Sequence, residues 1–332
     1  MSHDSNRRDF IGKMVTAVGA VGAVAAASNG AGDSADTGPD DLINERGMPC
    51  GKIGNLPLSR VILGTNIMGG WAHARDLSYV GPLMRAYNTE EKIFETLALA
   101  ESVGINTMSQ GSIPLRQQYN RERGGKMKQI CPLGIKVGDG DQVVRDRVKR
   151  LVDQGAAAIY IFGHDGDLLV RAGEIDIIGK AMHWIRDEGV PAGVGGHSLY
   201  VVTECEEKQV APDFYFKTFH SDRYWSATLP EFREEYCWYM GRSSEAGRYH
   251  DNMWCIDPDK LIEVMRNVKA AWLAFKVLAA GALPPRSAFS YAFRHGADFI
   301  IVGILDFQIE PNAQLAKDIL SRLRDRDRPW RA

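Results

Sequence analysis

Beyond Asp41 the chain alternates two apolar patterns. Short runs rich in β-branched and aromatic residues, bounded by Gly, Asp or Pro, predict strands in SRVILGTNI, GINTMSQ, ICPLGIKVG, AAAIYIFGH, VPAGVGGHS, FYFKTFHS, AWLAFKVLAAG and DFIIVGILDF. Between them lie helical periodicities. TEEKIFETLALAESVG carries apolar positions at Ile93, Leu97 and Leu99 and closes on Gly104. DQVVRDRVKRLVDQGA and GEIDIIGKAMHWIRDEGV follow the same plan, and DPDKLIEVMRNVK opens with Asp257 as an N-cap. Eight strands alternating with helices predict an α/β fold with a parallel sheet closed into a (β/α)8 barrel. The rival is a doubly wound open sheet, which lacks its Gly-rich fingerprint after the first strand. The longest interruption, residues 221–256, is rich in Trp, Tyr, Cys and Arg. It follows the sixth strand, where long loops shape substrate pockets.

Composition narrows the class. Of 332 residues, 45% are hydrophobic and 25% charged, with a formal net charge of -2, so no electrostatic case exists for nucleic acid as a partner. No CxxC occurs among the five cysteines; a single disulfide is open, with Cys237 and Cys255 the pair to test. Arg7 and Arg8 precede a weakly apolar Gly/Ala/Val run and an Ala25-x-Ala27 cleavage site. This predicts a twin-arginine signal peptide and linker over residues 1–41, a translocase partner during export, and a periplasmic or extracellular protein. The run holds about 14 residues, short of the roughly 20 that span a membrane. Residues 42–332 are expected to form one barrel domain.

The order of motifs resembles the aldo-keto reductase family. GKIGNLPLSRVILGTNIMGG is similar to its opening, a β-hairpin before the first barrel strand. GINTMSQG, IKVGDG, AAAIYIFGHD, AGVGGHS and VLAAGAL stand where the family has its later strand motifs, over about residues 47 to 325. The resemblance implies the barrel, and an Asp-Tyr-Lys-His tetrad with NADP. Lys136 and His164 match the lysine and histidine, whereas Ser109 replaces the aspartate and Pro114 the tyrosine. That tyrosine is the general acid, so its loss removes the core of hydride transfer. The segment VGILDFQIEPN, where the family binds phosphate, holds no Lys or Arg.

Three predicted strands end on histidine: His164, His197 and His220. Adjacent strands lie about 4.8 Å apart, so the three imidazoles are expected to converge about 2.1 Å from one divalent metal. Zinc fits imidazole best, with Mn, Fe, Co and Ni open. Lys136, Asp165 and Lys276 are the expected proton-transfer or enolate-stabilising groups. His250, Trp225 and Asp306 are candidate substrate contacts. Lys276, in an apolar strand, is costly to bury unless used. The expectation is an exported metal-dependent lyase, epimerase or hydrolase acting beside the carbonyl of a polar, carbohydrate-like substrate. The alternatives are an NADP-dependent oxidoreductase and a non-catalytic carbohydrate-binding barrel.

Overall fold

The computed structural model describes residues 42–236 and 251–332. Strands β1 (Cys50–Ile53) and β2 (Leu56–Ser59) form an antiparallel hairpin, turned at Gly54 with φ 58°. Eight parallel strands then close a barrel: β3 (Val61–Gly64), β4 (Thr107–Ser109), β5 (Lys128–Leu133), β6 (Ala158–Ile161), β7 (Ala192–Gly196), β8 (Phe214–Thr218), β9 (Ala271–Phe275) and β10 (Phe299–Gly303). Neighbours follow chain order, and β10 pairs with β3 to complete the circle. All eight predicted strands are present, and the fold is the (β/α)8 barrel. Helices α1 (Val80–Tyr87) and α2 (Glu90–Ser102) follow β3, and α3 (Ile113–Glu122) follows β4. They are succeeded by α4 (Asp141–Asp153), α5 (Gly163–Ala172), α6 (Ile175–Asp187), α7 (Leu199–Glu207), α8 (Pro258–Met265), α9 (Pro285–Arg294) and α10 (Asp306–Arg322).

Local chemistry sets the helix ends. The Thr89 hydroxyl accepts the Lys92 N–H and caps α2, and the Asp257 carboxylate accepts the Lys260 N–H and caps α8. Gly104 takes a left-handed φ of 96° just past the end of α2, as the helical periodicity predicts. Among the described residues, no helix is long and apolar enough to cross a membrane.

The core has two layers. One apolar cluster fills the space between strands and helices, with Leu63, Ile159, Ile161, Val194 and Trp272 on the outward strand faces. The second fills the barrel itself, built from Ile62, Ile130, Tyr160, Phe214, Phe216, Leu273, Phe275 and Ile301. This alternation is the period-2 rule of the strand applied to a surface buried on both sides. The hairpin contributes Ile53 and Leu58 to the inner cluster, so it stoppers the end from which the strands start. The open end is therefore the C-terminal mouth, where barrels of this kind hold their chemistry.

Candidate active site

A cavity of about 800 Å³ opens at this mouth, lined in part by Trp71, His73, Gln110, Tyr160, His197 and Lys276. These residues come from β6 or from the loops that follow β3, β4, β7 and β9. Lys276 stands one position past the end of β9 with φ 59°, in the left-handed region. Gln110 has φ 59° and His73 φ 48°. Non-glycine residues at positive φ each cost of order 1 kcal/mol or more, and persist where surrounding structure imposes them. Three of them line one cavity.

Lys276 is the centre of the arrangement. Its Nζ lies 3.1 Å from His73 Nε2 and 3.8 Å from the centre of the Trp254 ring. No described carboxylate pairs with it directly. Desolvation pulls its pKa down from 10.5 to about 7, and the more distant Asp251 charge only partly opposes this. The amine is thus poised between its neutral and charged forms near neutral pH. On the other side of the ring, His73 Nδ1 lies 3.3 Å from Asp251 Oδ1, and Asp251 Oδ2 accepts the Arg75 N–H at 2.7 Å. The ring also packs edge-on against Trp254, with centroids 4.9 Å apart. Burial lowers the His73 pKa, against the pull of the Asp251 hydrogen bond. Amine, imidazole and carboxylate therefore form a chain: a nucleophile, a base within reach of it, and a group that orients the base.

A second His–Asp pair lies in the same wall. Asp167, fully buried in α5, accepts the backbone N–H groups of His197 and Ser198 at 2.8 Å each, and its Oδ2 lies 2.8 Å from His197 Nδ1. The carboxylate can reach β7 because two glycines let the backbones touch. A Cβ on Gly166 would meet the Gly195 carbonyl oxygen at 2.1 Å. Burial depresses the His197 pKa while Asp167 opposes it. Deeper in the barrel, Tyr160 stacks on Phe216 with ring centres 4.1 Å apart, and its hydroxyl accepts the Gln110 Nε2–H at 2.8 Å. Burial pushes the Tyr160 pKa up, so the phenol stays protonated.

The expected trio of metal ligands does not form. His164 and His197 both line the cavity, but His220 is spent on the backbone. Its Nδ1 donates to the Ser221 carbonyl at 3.0 Å, and its Nε2 accepts the N–H groups of Trp254 and Cys255 at 3.1 Å each. A neutral imidazole has one lone pair on its ring nitrogens, and here it is taken. Among the described residues, no group of three His, Cys, Asp or Glu side chains is placed to hold a metal ion. His164, expected at a strand end, falls in the first turn of α5, with Nδ1 3.6 Å from Asp165 Oδ1.

Other expected residues lie outside the cavity lining. Lys136 Nζ pairs with Asp165 Oδ1 at 2.8 Å, and Asp165 Oδ2 accepts the Ile135 N–H, so both stand in a buried-carboxylate anchor beneath the β5–α4 loop. Asp306, in the first turn of α10, accepts the Tyr87 hydroxyl at 2.7 Å and lies 3.3 Å from Lys92 Nζ. Trp225 is 96% exposed. His250 and Cys237 lie outside the described residues, while Cys255 is a buried free thiol. Lys217 is buried and donates to the His197 and Thr218 carbonyls, a structural role.

The described residues offer few cationic groups to a dinucleotide. A smaller cavity of about 270 Å³ adjoins the first and reaches Gly281, Gly303 and Gln308 at the β9 and β10 ends. Among its described lining residues Lys276 is the one Lys or Arg, and the nearby α10 N-terminus carries the Asp306 carboxylate. A pyrophosphate and a 2'-phosphate would meet, among the described residues, the Lys276 amine and, at the helix end, an Asp306 carboxylate already paired with Lys92.

Sequence reasoning does not single out His73, Asp167, Tyr160 or Asp251. One signal exists for Asp167: the spacing in GHDGD sets it three residues after His164, one helical turn on.

No protein-family model matches the chain, and no curated protein matches it. Among solved structures, the barrel is similar to one titled "Putative aldo-keto reductase from Pseudomona aeruginosa", with 18% identity, a TM-score of 0.55, and coverage of 87% of this chain and 100% of that one. Weaker likenesses include the Amycolatopsis orientalis BexX/CysO complex (13% identity, 81% of this chain and 93% of that one, TM-score 0.45). Another is the N-acetylmannosamine-6-phosphate 2-epimerase from Clostridium perfringens (14%, 68% and 85%, TM-score 0.40). At 18% identity the first likeness establishes a shared architecture alone, the eight-stranded parallel (β/α)8 barrel.

Proposed function

We propose that the protein is a lysine-dependent enzyme of carbonyl substrates, a lyase or isomerase that works through an imine at Lys276. The observation that carries this is the Lys276–His73–Asp251 chain at the cavity wall, with the amine held near neutrality by burial. The neutral Nζ adds its lone pair to the carbonyl carbon, and the N–H proton passes to His73 Nε2. That proton returns to the oxygen to give the neutral carbinolamine, and a second proton, taken up from solvent through His73, lets water leave and an iminium form. The iminium draws electrons from an adjacent C–H or C–C bond, which a positioned base completes by taking the proton. His197, fixed through Nδ1 by Asp167, lines the same cavity and is the residue we assign to that step. The Arg7-Arg8 motif supports export of the folded protein.

The test is reductive trapping. Purified protein is incubated with an aldehyde and borohydride, then digested and mapped by mass. An alkylated Lys276 in the wild type, absent when the protein is first unfolded, is the expected result. Modification of exposed lysines alone, with Lys276 untouched, would overturn the reading.

A further inference from the structure

The cavity extends well beyond the amine. Ile93 and Leu97, four residues apart on one face of α2, line a lobe with Met108 of β4 and Leu115 of α3. Leu97 is 1% and Met108 3% exposed, so this lobe reaches into the layer between strands and helices. Several polar groups beside it already make hydrogen bonds within the protein. The Thr65 hydroxyl donates to the Ser109 carbonyl, the Ser112 hydroxyl accepts the Leu115 N–H as the cap of α3, and Arg116 donates to Gln129 and to the Gln154 carbonyl. The four side chains of the lobe itself offer a ligand only hydrocarbon and one thioether. An apolar space without polar partners is a poor host for water. At about 800 Å³ the whole cavity lies in the upper part of the range that encloses drug-sized ligands.

Resting on the lysine reading of this site, we infer that the natural substrate is a carbonyl compound with an extended apolar arm, its carbonyl at Lys276 and its arm in the Ile93–Leu97–Met108–Leu115 lobe. This replaces the polar, carbohydrate-like substrate expected from the sequence. A sugar would bring hydroxyl groups against four side chains that cannot hydrogen-bond them, and each hydroxyl buried without a partner is costly.

A homologous series of straight-chain aldehydes, propanal to nonanal, trapped on the full-length protein with cyanoborohydride, tests the inference. Adduct at Lys276 is quantified against adduct at exposed Lys52. The half-saturating concentration at Lys276 is expected to fall roughly fourfold per methylene, the equivalent of about 0.8 kcal/mol for each CH₂ buried. Leu115→Trp, at a half-buried helix position, should fill the lobe, so that the ratio of octanal to propanal trapping at Lys276 falls at least tenfold. Trapping at Lys276 that is flat with chain length, or that tracks Lys52 at every length, overturns the apolar arm and leaves the lysine chemistry standing. Absence of any Lys276 adduct across the series overturns both.

Discussion

The two ends of this barrel each bury a cation and treat it in opposite ways. At the closed end, Arg328 pairs with Asp298 at 2.7 Å and donates to the carbonyls of Gly296, Val268 and Ala270. Asp298 in turn accepts the N–H groups of Trp272 and Arg331. Beside it, the Trp330 ring lies between the guanidinium groups of Arg60, 4.0 Å away, and Arg326, 3.3 Å away. The C-terminal chain is thus clamped over the starts of β3, β9 and β10. At the mouth, Lys276 has no such counter-charge; it has one imidazole, one indole face and a strained backbone. A charge that is fully matched holds the fold together, whereas a charge left unmatched costs stability and gains reactivity.

The sharpest way to break that contrast is Lys276→Met. Amine chemistry should fall by at least ~10³-fold, since no neighbouring group can replace a nucleophile. Stability should move the other way. The folded pKa of about 7 lies below the unfolded value, so between pH 7 and about 10.5 the unfolded chain binds more protons and stability rises with pH. Below pH 7 the penalty is fully present, and removing the amine should stabilise the protein by on the order of 2 kcal/mol, after allowance for partial exposure and for the lost His73 contact. Denaturant melts at pH 6 and pH 10 check this: the gain should shrink at the higher pH. Asp298→Ala tests the opposite end. It strands Arg328 in the interior, and a loss of about 3 kcal/mol is expected by urea unfolding, with Lys276 trapping unaltered.

His220→Ala sits between these cases, because the sequence assigned this residue to a metal and the structure assigns it to the backbone. Removal leaves the Trp254 and Cys255 N–H groups without their acceptor, for an expected loss of about 2 kcal/mol. Trapping at Lys276 should then weaken only as far as Trp254 shifts. Burial holds the His220 pKa at about 4, below its unfolded value. Protons therefore bind the unfolded chain first, and wild-type stability should drop as pH falls from about 6.5 to about 4. In the variant that part of the slope should vanish.

Which features the sequence disclosed, and which it hid, depends on the range of the interactions. The barrel was legible because its signals are local: a run such as DFIIVG is a strand wherever it sits, and Thr89 and Asp257 cap helices from three residues away. Lys276 stood out for a similar reason, as a charge at the end of an apolar run. His220 was misassigned because its role depends on two N–H groups in a segment more than thirty residues downstream. The histidine trio also relied on strand ends that are not there. β6 stops at Ile161 and β8 at Thr218, so His164 and His220 lie beyond the ladder, where the loop or helix they enter sets their direction. His73 was invisible as a partner for Lys276 because 203 positions separate them.

The smallest effect we expect is also the most discriminating. Asp251 touches neither the substrate lobe nor Lys276, yet it orients the His73 ring and adds a negative charge near the amine. In Asp251→Asn the amide oxygen can still accept from His73 Nδ1, so the ring keeps its place while the charge disappears. Imine formation should slow about tenfold, because the imidazole that takes the amine proton loses its anionic support; one power of ten corresponds to about 1.4 kcal/mol. The pH dependence should move as well. Asp251 raises the Lys276 pKa against desolvation, so its neutralisation must shift the midpoint of trapping against pH to a value below about 7. A carboxylate that merely braced the Arg75 loop through its N–H contact would change the melting temperature and leave that midpoint in place. An acid shift of the midpoint therefore ties the reactivity of the mouth to the unmatched charge there, whatever the melt does on loss of the Arg75 contact, and a fixed midpoint severs it.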